Sequence, residues 1–265
     1  DIMRRERCQV VLVRPAVAGN IGATARVMAN FGLERLVLVA PEARPVDAQA
    51  RSLATHGEGV LEAARCVDRL EEAIAECGLV IATSAAVGGL FRAQTVTTPR
   101  ELMPMVVRDL DQTQVALVFG PERTGLRTDE VSRCHHLIHI PAAPEYPVLN
   151  LAQAVAICLY ELHMADLERQ SDGAPAAALP FVPSSQPAAP FALQERVYDR
   201  WREALEAIHF LWDEKADAQM HALRHVLGRA RPSEMEARVL LGVARQIMWY
   251  VEHKGPGGGS LAERG

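Results

Sequence analysis

The sequence lacks any run of about 18 apolar residues, so no transmembrane helix is expected and no membrane partner. It also lacks a C-x-x-C pair. Its five cysteines (Cys8, Cys66, Cys77, Cys134, Cys158) are scattered and odd in number. That argues against a disulfide scaffold or zinc ribbon and suits a reducing cytoplasm. Positive charge is not in excess: 28 Lys and Arg stand against 33 Asp and Glu, a net charge of -5. Neither the first 170 residues nor the remainder is basic. A generally basic nucleic-acid binder is excluded, but RNA feels local potential rather than the sum over a chain. There is no G-x-G-x-x-G after the first apolar run, where only Gly19 and Gly22 stand, and no G-x-x-x-x-G-K-[ST]. Dinucleotide-type Rossmann and P-loop sites are thereby excluded. The basic start, Asp1-Ile2-Met3-Arg4-Arg5-Glu6-Arg7, leads into a short strand-like run rather than a signal-peptide core. Beginning on Asp, the chain is expected to be a fragment or processed.

What is present is enough to build a core. The 265 residues are 49% hydrophobic and 23% charged, suiting one large domain or one domain plus a smaller one. Short, nearly continuous apolar runs at Cys8–Val13, Arg35–Ala40, Leu79–Thr83, Gln114–Phe119 and Leu137–Ile140 have the composition of buried parallel strands. Helical patterns lie between them. Asp68-Arg69-Leu70-Glu71 has capping-box spacing, with Gly78 after Cys77 as the expected stop. Thr98-Pro99-Arg100-Glu101 supplies a cap, a proline at the first helical position and an acid in the first turn. Strands alternating with helices predict an α/β fold with a mainly parallel sheet.

The helix opening near Asn150 is apolar nearly all round, through Leu151, Val155, Ile157, Leu159 and Leu162. Such a helix belongs in a core or a subunit interface, and a homodimer surface is expected there. Composition shifts over 171–192 to Pro, Ala and Ser, the mark of a linker. The expected organisation is a catalytic domain over 1–170, that linker, a helical extension over 193–253 and a flexible tail over 254–265. Within the extension, helices are expected at Gln194–Trp212, at Lys215–Gly228 and from Ser233 to about His253.

Three loops carry the chemistry. Asn20-Ile21-Gly22-Ala23-Thr24-Ala25-Arg26 follows the first strand and opens a helix, where an anion can sit. Phe119-Gly120-Pro121-Glu122-Arg123-Thr124-Gly125-Leu126 follows another apolar strand, and open α/β sheets bind ligands at such carboxyl ends. Ile140-Pro141 leads through a turn-rich segment to Leu149-Asn150-Leu151-Ala152-Gln153-Ala154, with Asn150 at the N-cap position.

In that order, N-x-G-x-x-x-R, F-G-P-E-x-x-G and I-P-(loop)-L-N-x-x-x-A resemble the three motifs of the SpoU/TrmH class of SPOUT RNA methyltransferases, over roughly Cys8 to Ala165. Asn150-Leu-Ala-Gln-Ala-Val and Met220-His-Ala-Leu-Arg-His-Val-Leu-Gly-Arg-Ala-Arg-Pro-Ser-Glu look like its TrmJ-type subgroup. The resemblance implies a SPOUT fold with a C-terminal trefoil knot, which general topology rules would not supply. It implies an obligate homodimer, S-adenosylmethionine as cofactor, and methylation of a tRNA ribose 2′-hydroxyl at the first nucleotide of the anticodon loop. By the same resemblance, Thr83, Ser84, Ala85, Gly120, Glu122, Gly125, Ile140, Leu149 and Asn150 line the cofactor site. Arg26 is the expected catalytic arginine, acting near the partner subunit's cofactor. Asn20, Glu122 and Asn150 complete the catalytic set, Glu122 as a brace on its loop or on Asn20 and Asn150 as a cap. Two departures stand out. Val148 occupies a position where many relatives carry Ser. The loop Ser84-Ala85-Ala86-Val87-Gly88-Gly89 lacks an early arginine, a role open to Arg92. Two other activities fit the same residues: 2′-O-methylation of ribosomal RNA, and a catalytically silent RNA-binding or assembly protein that keeps the fold.

RNA contacts are expected at Arg26, Arg123, Arg224, Arg229 and Arg231, and among the arginines near Arg4. No metal is expected. Cys134-His135-His136 and His139 match no zinc spacing, and adjacent residues on a strand point to opposite faces. His221 and His225 lie one helical turn apart without a carboxylate or cysteine motif, and are expected to join the basic surface of the extension. Trp201, Phe210 and Trp212 are expected to pack between helices.

Overall fold

The structure is a computed structural model that describes residues 3–84, 96–172 and 187–254. The chain divides into two compact units, Asp1–Pro187 and Ala188–Gly265. No described helix is long and apolar enough to cross a membrane.

In the first unit the strands are β1 (Cys8–Val13), β2 (Arg35–Val39), β3 (Arg65–Val67), β4 (Cys77–Thr83), β5 (Val96–Thr97), β6 (Gln114–Phe119) and β7 (His136–Ile138). The helices are α1 (Ala18–Asn30), α2 (Ala48–Ala54), α3 (Glu58–Glu62), α4 (Leu70–Ile74), α5 (Pro99–Asp109), α6 (Thr128–Val131) and α7 (Leu151–Asp172). All five strands expected from apolar runs are there. β3 and β5 add two short strands that carry no such run.

The described strands form one sheet in the order β3-β2-β1-β6-β4-β7-β5. Every pairing is parallel. β1 and β6 are buried along nearly their whole length because helices cover both faces. The chain winds outward from β1 to β3, then returns on the other side of it. Strand order therefore reverses beside β1, and the loops at the carboxyl ends of β1, β6, β4 and β7 converge there. α7 packs on α1 and α5, with Val155, Cys158, Leu159 and Leu162 fully buried.

Thr98 caps α5 as expected, in a reciprocal capping box with Glu101. The box expected at Asp68 does not form: Arg69 precedes α4, which ends at Ile74 after barely one turn. Nor is Gly78 a helix stop. It lies inside β4 at a register shift, where Cys77 pairs with Gln114 and Leu79 with Val115. Gly78 is the extra residue of that bulge, and its N–H donates to Thr113 Oγ1 at 3.2 Å. The apolar run thus starts two residues earlier than expected, because a glycine in a strand hides its continuation.

The second unit holds α8 (Phe191–Ala207), α9 (Ala216–Ala230) and α10 (Glu234–Lys254). α8 and α10 pack together, and Trp201 Nε1 donates to the Leu240 carbonyl at 2.9 Å. α8 stops five residues before the expected Trp212. His209 is left-handed, and the N–H groups of Phe210 and Leu211 turn back to the Leu205 carbonyl, which closes the helix. As a result Phe210 and Trp212 are exposed, at 52% and 68%, rather than packed; of the aromatic trio only Trp201 packs on the core.

Candidate functional site

At the carboxyl ends of β4, β6 and β7, the strand ends and the segments that follow enclose a cavity of about 330 Å³, within the range of small-molecule sites. Thr83 and Ser84 at the end of β4 form one wall, and the 120–126 loop forms another. Ile140, Val148 and Leu149, on the segment after β7, close it with apolar surface. The 120–126 loop is folded tightly on itself. A Cβ on Gly120 would lie 2.4 Å from the Leu126 nitrogen. Gly125 donates its N–H to the Pro121 carbonyl at 2.9 Å with φ at +65°. Only glycine meets both demands cheaply. Here lie Gly120, Gly125, Ile140, Leu149, Thr83, Ser84 and Glu122, all of them lining the cavity. Ala85, together with the loop on to Gly89 and Arg92, lies outside the described residues.

Asn20 in the first turn of α1, Glu122 on the loop after β6 and Asn150 just before α7 meet in one hydrogen-bonded relay. Asn20 Nδ2 donates to Glu122 Oε1 at 2.7 Å. Asn150 Nδ2 donates to Asn20 Oδ1 at 2.9 Å. Asn150 Oδ1 then accepts from the Ala152 N–H at 2.9 Å, capping α7. The other Glu122 oxygen accepts from the Ala16 N–H at 3.2 Å. Direction is fixed along the chain. An ionised carboxylate only accepts, so Asn20 must present its amide nitrogen to Glu122 and its oxygen to Asn150. This leaves the Asn150 oxygen for the helix. Glu122 therefore braces the end of β1 and the start of α1, with both oxygens engaged.

Arg26 stands apart from this cavity. It lies six residues beyond Asn20 on α1, exposed, and does not line the cavity wall. The buried Gly57 presses on its backbone: a Cβ there would be 2.8 Å from the Arg26 nitrogen. Arg123 is exposed on the cavity loop.

The arginines expected on the extension separate into two kinds. Arg229 is exposed. Arg224 is ion-paired with Glu195, and its guanidinium stacks over Tyr198 at 4.3 Å from the ring centroid. Arg231 is 8% exposed and ends α9 in a left-handed conformation. Arg224, half-buried, and Arg231, buried, are thus less exposed than Arg229.

His221 and His225 do share a face of α9, with Nε2 atoms 2.8 Å apart. Burial, then the neighbouring His221, Arg229 and Arg224, pushes the His225 imidazole down to about 4. Hence His225 is neutral near pH 7 and adds no charge to a basic surface. His135 is likewise committed, its Nδ1 accepting from the Val80 N–H at 2.8 Å. Among the described residues no three His, Cys, Asp or Glu side chains gather as a metal site would need.

The sequence pattern missed Arg14, Glu130 and Val131 at this site. Glu130 is 7% exposed and receives the Arg14 guanidinium on both oxygens. Val131 lines the cavity. One signal was available: a charged Arg14 directly abutting the apolar run of β1, where an unpaired charge would be costly.

The model of the SpoU rRNA methylase family matches residues 7–160, which span the sheet and all three loops. The model of the tRNA methyltransferase TrmJ C-terminal domain matches residues 194–256. The tRNA (cytidine/uridine-2′-O-)-methyltransferase TrmJ of Yersinia pestis (strain Pestoides F) is 39% identical over 90% of this chain and 90% of its own. Its Salmonella typhimurium counterpart is 37% identical, covering 91% and 96%. Among solved structures, TrmJ from Z. mobilis ZM4 superposes with a TM-score of 0.73 at 31% identity, covering 91% of this chain and 98% of that one. A relay that joins three family motifs, with Glu122 in the cavity wall, and matches that span both units, lead to one conclusion: the chain belongs to the SpoU methylase family, in its TrmJ branch.

Proposed function

We propose that this protein transfers a methyl group from S-adenosylmethionine to a ribose 2′-hydroxyl of tRNA, at the first nucleotide of the anticodon loop. The observation that carries the reading is the relay of Asn20, Glu122 and Asn150, which fixes Glu122 in the wall of a cavity of small-molecule size, although Asn20 and Asn150 do not themselves line it. The names of the TrmJ relatives support the tRNA substrate and the 2′-oxygen. The cavity suits the cofactor. Gly120 lets the 120–126 wall fold back on itself, and Ile140, Val148 and Leu149 offer apolar surface for a flat ring. Strand-end backbone groups and Thr83 and Ser84 offer polar contacts. No metal is needed for this chemistry.

Bound there, S-adenosylmethionine supplies a methyl group already activated on a sulfonium. The protein must place the ribose oxygen in line with that methyl and help its proton leave. Held by Thr83, Ser84, the 120–126 loop and Ile140, Val148 and Leu149, the cofactor would supply the methyl that the ribose oxygen takes up, and the hydroxyl proton would pass to phosphate or water. Arg26 does not take that proton, because a guanidinium stays protonated below pH ~12. Its role is to grip the neighbouring phosphate and stabilise the alkoxide charge as it develops. Because Arg26 lies outside the cavity of its own chain, it serves the site of a second copy, with α7 as the dimer surface. The trefoil knot of the family would be drawn by the 120–126 and 140–150 segments. The five cysteines are free, in keeping with work in the cytoplasm.

The test is a map of 2′-O-methyl sites on total tRNA from a strain lacking the protein. Loss at the first anticodon-loop nucleotide is expected, and an unchanged anticodon loop overturns the assignment. The description of the matched family names rRNA, so ribosomal RNA is the second substrate to map. Arg26→Ala should abolish turnover under saturating tRNA, and Arg26→Lys should also be impaired, since a point charge does not replace a bidentate fork. Near-normal turnover of Arg26→Ala contradicts its role.

A further inference from the structure

The 120–131 segment, which walls the cavity, is tied to the end of β1 at two places. The first is the contact of Glu122 with Ala16 and Asn20. The second lies eight residues on, where Glu130 meets Arg14. Arg14 Nη1 donates to Glu130 Oε1, and Nη2 donates to Oε2 at 3.0 Å. Oε2 also accepts from the Arg127 N–H at 2.7 Å, which fixes the entry to α6. A two-pronged guanidinium–carboxylate pair sets orientation as well as distance. Arg14 itself is held left-handed, at φ 47°, with its N–H on the Val39 carbonyl at 2.8 Å. A non-glycine residue adopts that conformation only where its surroundings demand it. Between the two ties lie Arg123, Thr124, Gly125 and Leu126, all at the cavity, and directly after the second tie comes Val131, also in the wall.

We propose that Arg14 and Glu130 are a positioning pair for the methyl-donor site, holding the 123–131 wall in its binding shape before any ligand arrives. The proposal rests on the cofactor reading above. A wall clamped at one end only would have to be ordered at the moment of binding, and that ordering would subtract from affinity.

Removing one partner would strand a buried charge and risk the fold, so the test replaces both. In Arg14→Met/Glu130→Met the volume is kept and the two-pronged geometry is lost; Arg14→Lys keeps the charge alone. Two readouts are taken. Trypsin cuts after the exposed Arg123 and Arg127 at a rate set by local opening of the loop, with no ligand present. Calorimetric titration gives the affinity for S-adenosylmethionine. With the melting temperature held near that of the wild type, the double variant should be cut about tenfold faster. It should also bind S-adenosylmethionine about tenfold more weakly, the order of one charge-assisted hydrogen bond. Arg14→Lys should fall between. Unchanged cleavage overturns the proposal. Faster cleavage with unchanged affinity overturns its link to the cofactor. If the wild-type protein itself binds no S-adenosylmethionine, the cofactor reading fails and with it this use of the pair, whereas the cleavage ratio reports the clamp by itself.

Discussion

Asn20 illustrates what one amide does that neither an acid nor an alkyl group could. It donates a hydrogen bond to Glu122 at one end and accepts one from Asn150 at the other. Asn20→Asp puts a second carboxylate against the Glu122 oxygen, and like charges at hydrogen-bond distance repel. Such a variant should bind S-adenosylmethionine at least about tenfold more weakly in calorimetric titration, as expected when a charged hydrogen bond is lost. Wild-type affinity would show that the relay is incidental to binding. Asn20, Glu122 and Asn150 were legible in the sequence because each belongs to one of the three motifs that resemble the family's. Their mutual contact was not, since it depends on which strands end side by side. Arg14 and Glu130 are less legible still. They stand 116 residues apart and meet only through the pairing of β1 with β6. Glu130 feels two opposing influences: burial raises its pKa, and the Arg14 guanidinium and the Arg127 N–H lower it, to a net value below the ordinary carboxylate range. A depressed acid stabilises the fold fully above its unfolded value, about 4.5, and loses that contribution as pH falls through the folded value. Acid unfolding should therefore lose part of its pH dependence below about 4.5 in Arg14→Met/Glu130→Met. An identical acid profile would mean the pair adds nothing to stability.

At the scale of elements, close approach decides what the apolar pattern leaves open. α1 runs against α2 so tightly that a Cβ on Gly22 would lie 2.0 Å from the Ala50 carbonyl oxygen. That contact is backbone and cannot swing away. Gly22→Ala should cost about 1–3 kcal/mol, the usual range for overpacking, measured by denaturant unfolding. A neutral result would mean that α2 is free to move aside. The glycine of the first motif is thus a packing glycine rather than an anion-binding one, which spacing alone could not separate. α4 and α8 teach the complementary lesson. The first is shorter than its capping pattern suggested, and the second ends early because His209 turns left-handed. Neither event has a marker such as Gly or Pro at the turning residue. α9 carries a pH response of its own. His225 is neutral in the fold with a pKa near 4, against 6.5 when free. The unfolded chain then binds the extra proton between those values, so stability is full above about 6.5 and declines as pH falls toward 4. His225→Gln should flatten the melting temperature of the protein across that window. An unchanged slope would place the response elsewhere.

For the molecule as a whole, charge limits how RNA can be held. A net charge of -5, with Arg224 and Arg231 taken up by the fold, leaves few cations for phosphate. Arg4, Arg26, Arg123 and Arg229 are the exposed members of the expected set. Affinity for tRNA should fall with salt along a shallow log–log slope, near -4 if about four phosphates are neutralised at roughly 0.9 per contact. A slope several times steeper would require a basic surface that the described residues do not show. The mainly parallel α/β class, five of the strands and the places of the three motif segments followed from apolar runs and loop chemistry; the strand order and its reversal beside β1 did not. The family's knot did not, because nothing local in a sequence records which loop a chain passes through. The central claim is methyl transfer to one ribose oxygen. Its most direct test is transfer of a labelled methyl from S-adenosylmethionine to a tRNA transcript, beside the same transcript with a single 2′-deoxy substitution at the first anticodon-loop nucleotide. Incorporation into the first and none into the second is the predicted result. Equal incorporation into both, or none into either under conditions where the cofactor binds, would contradict it.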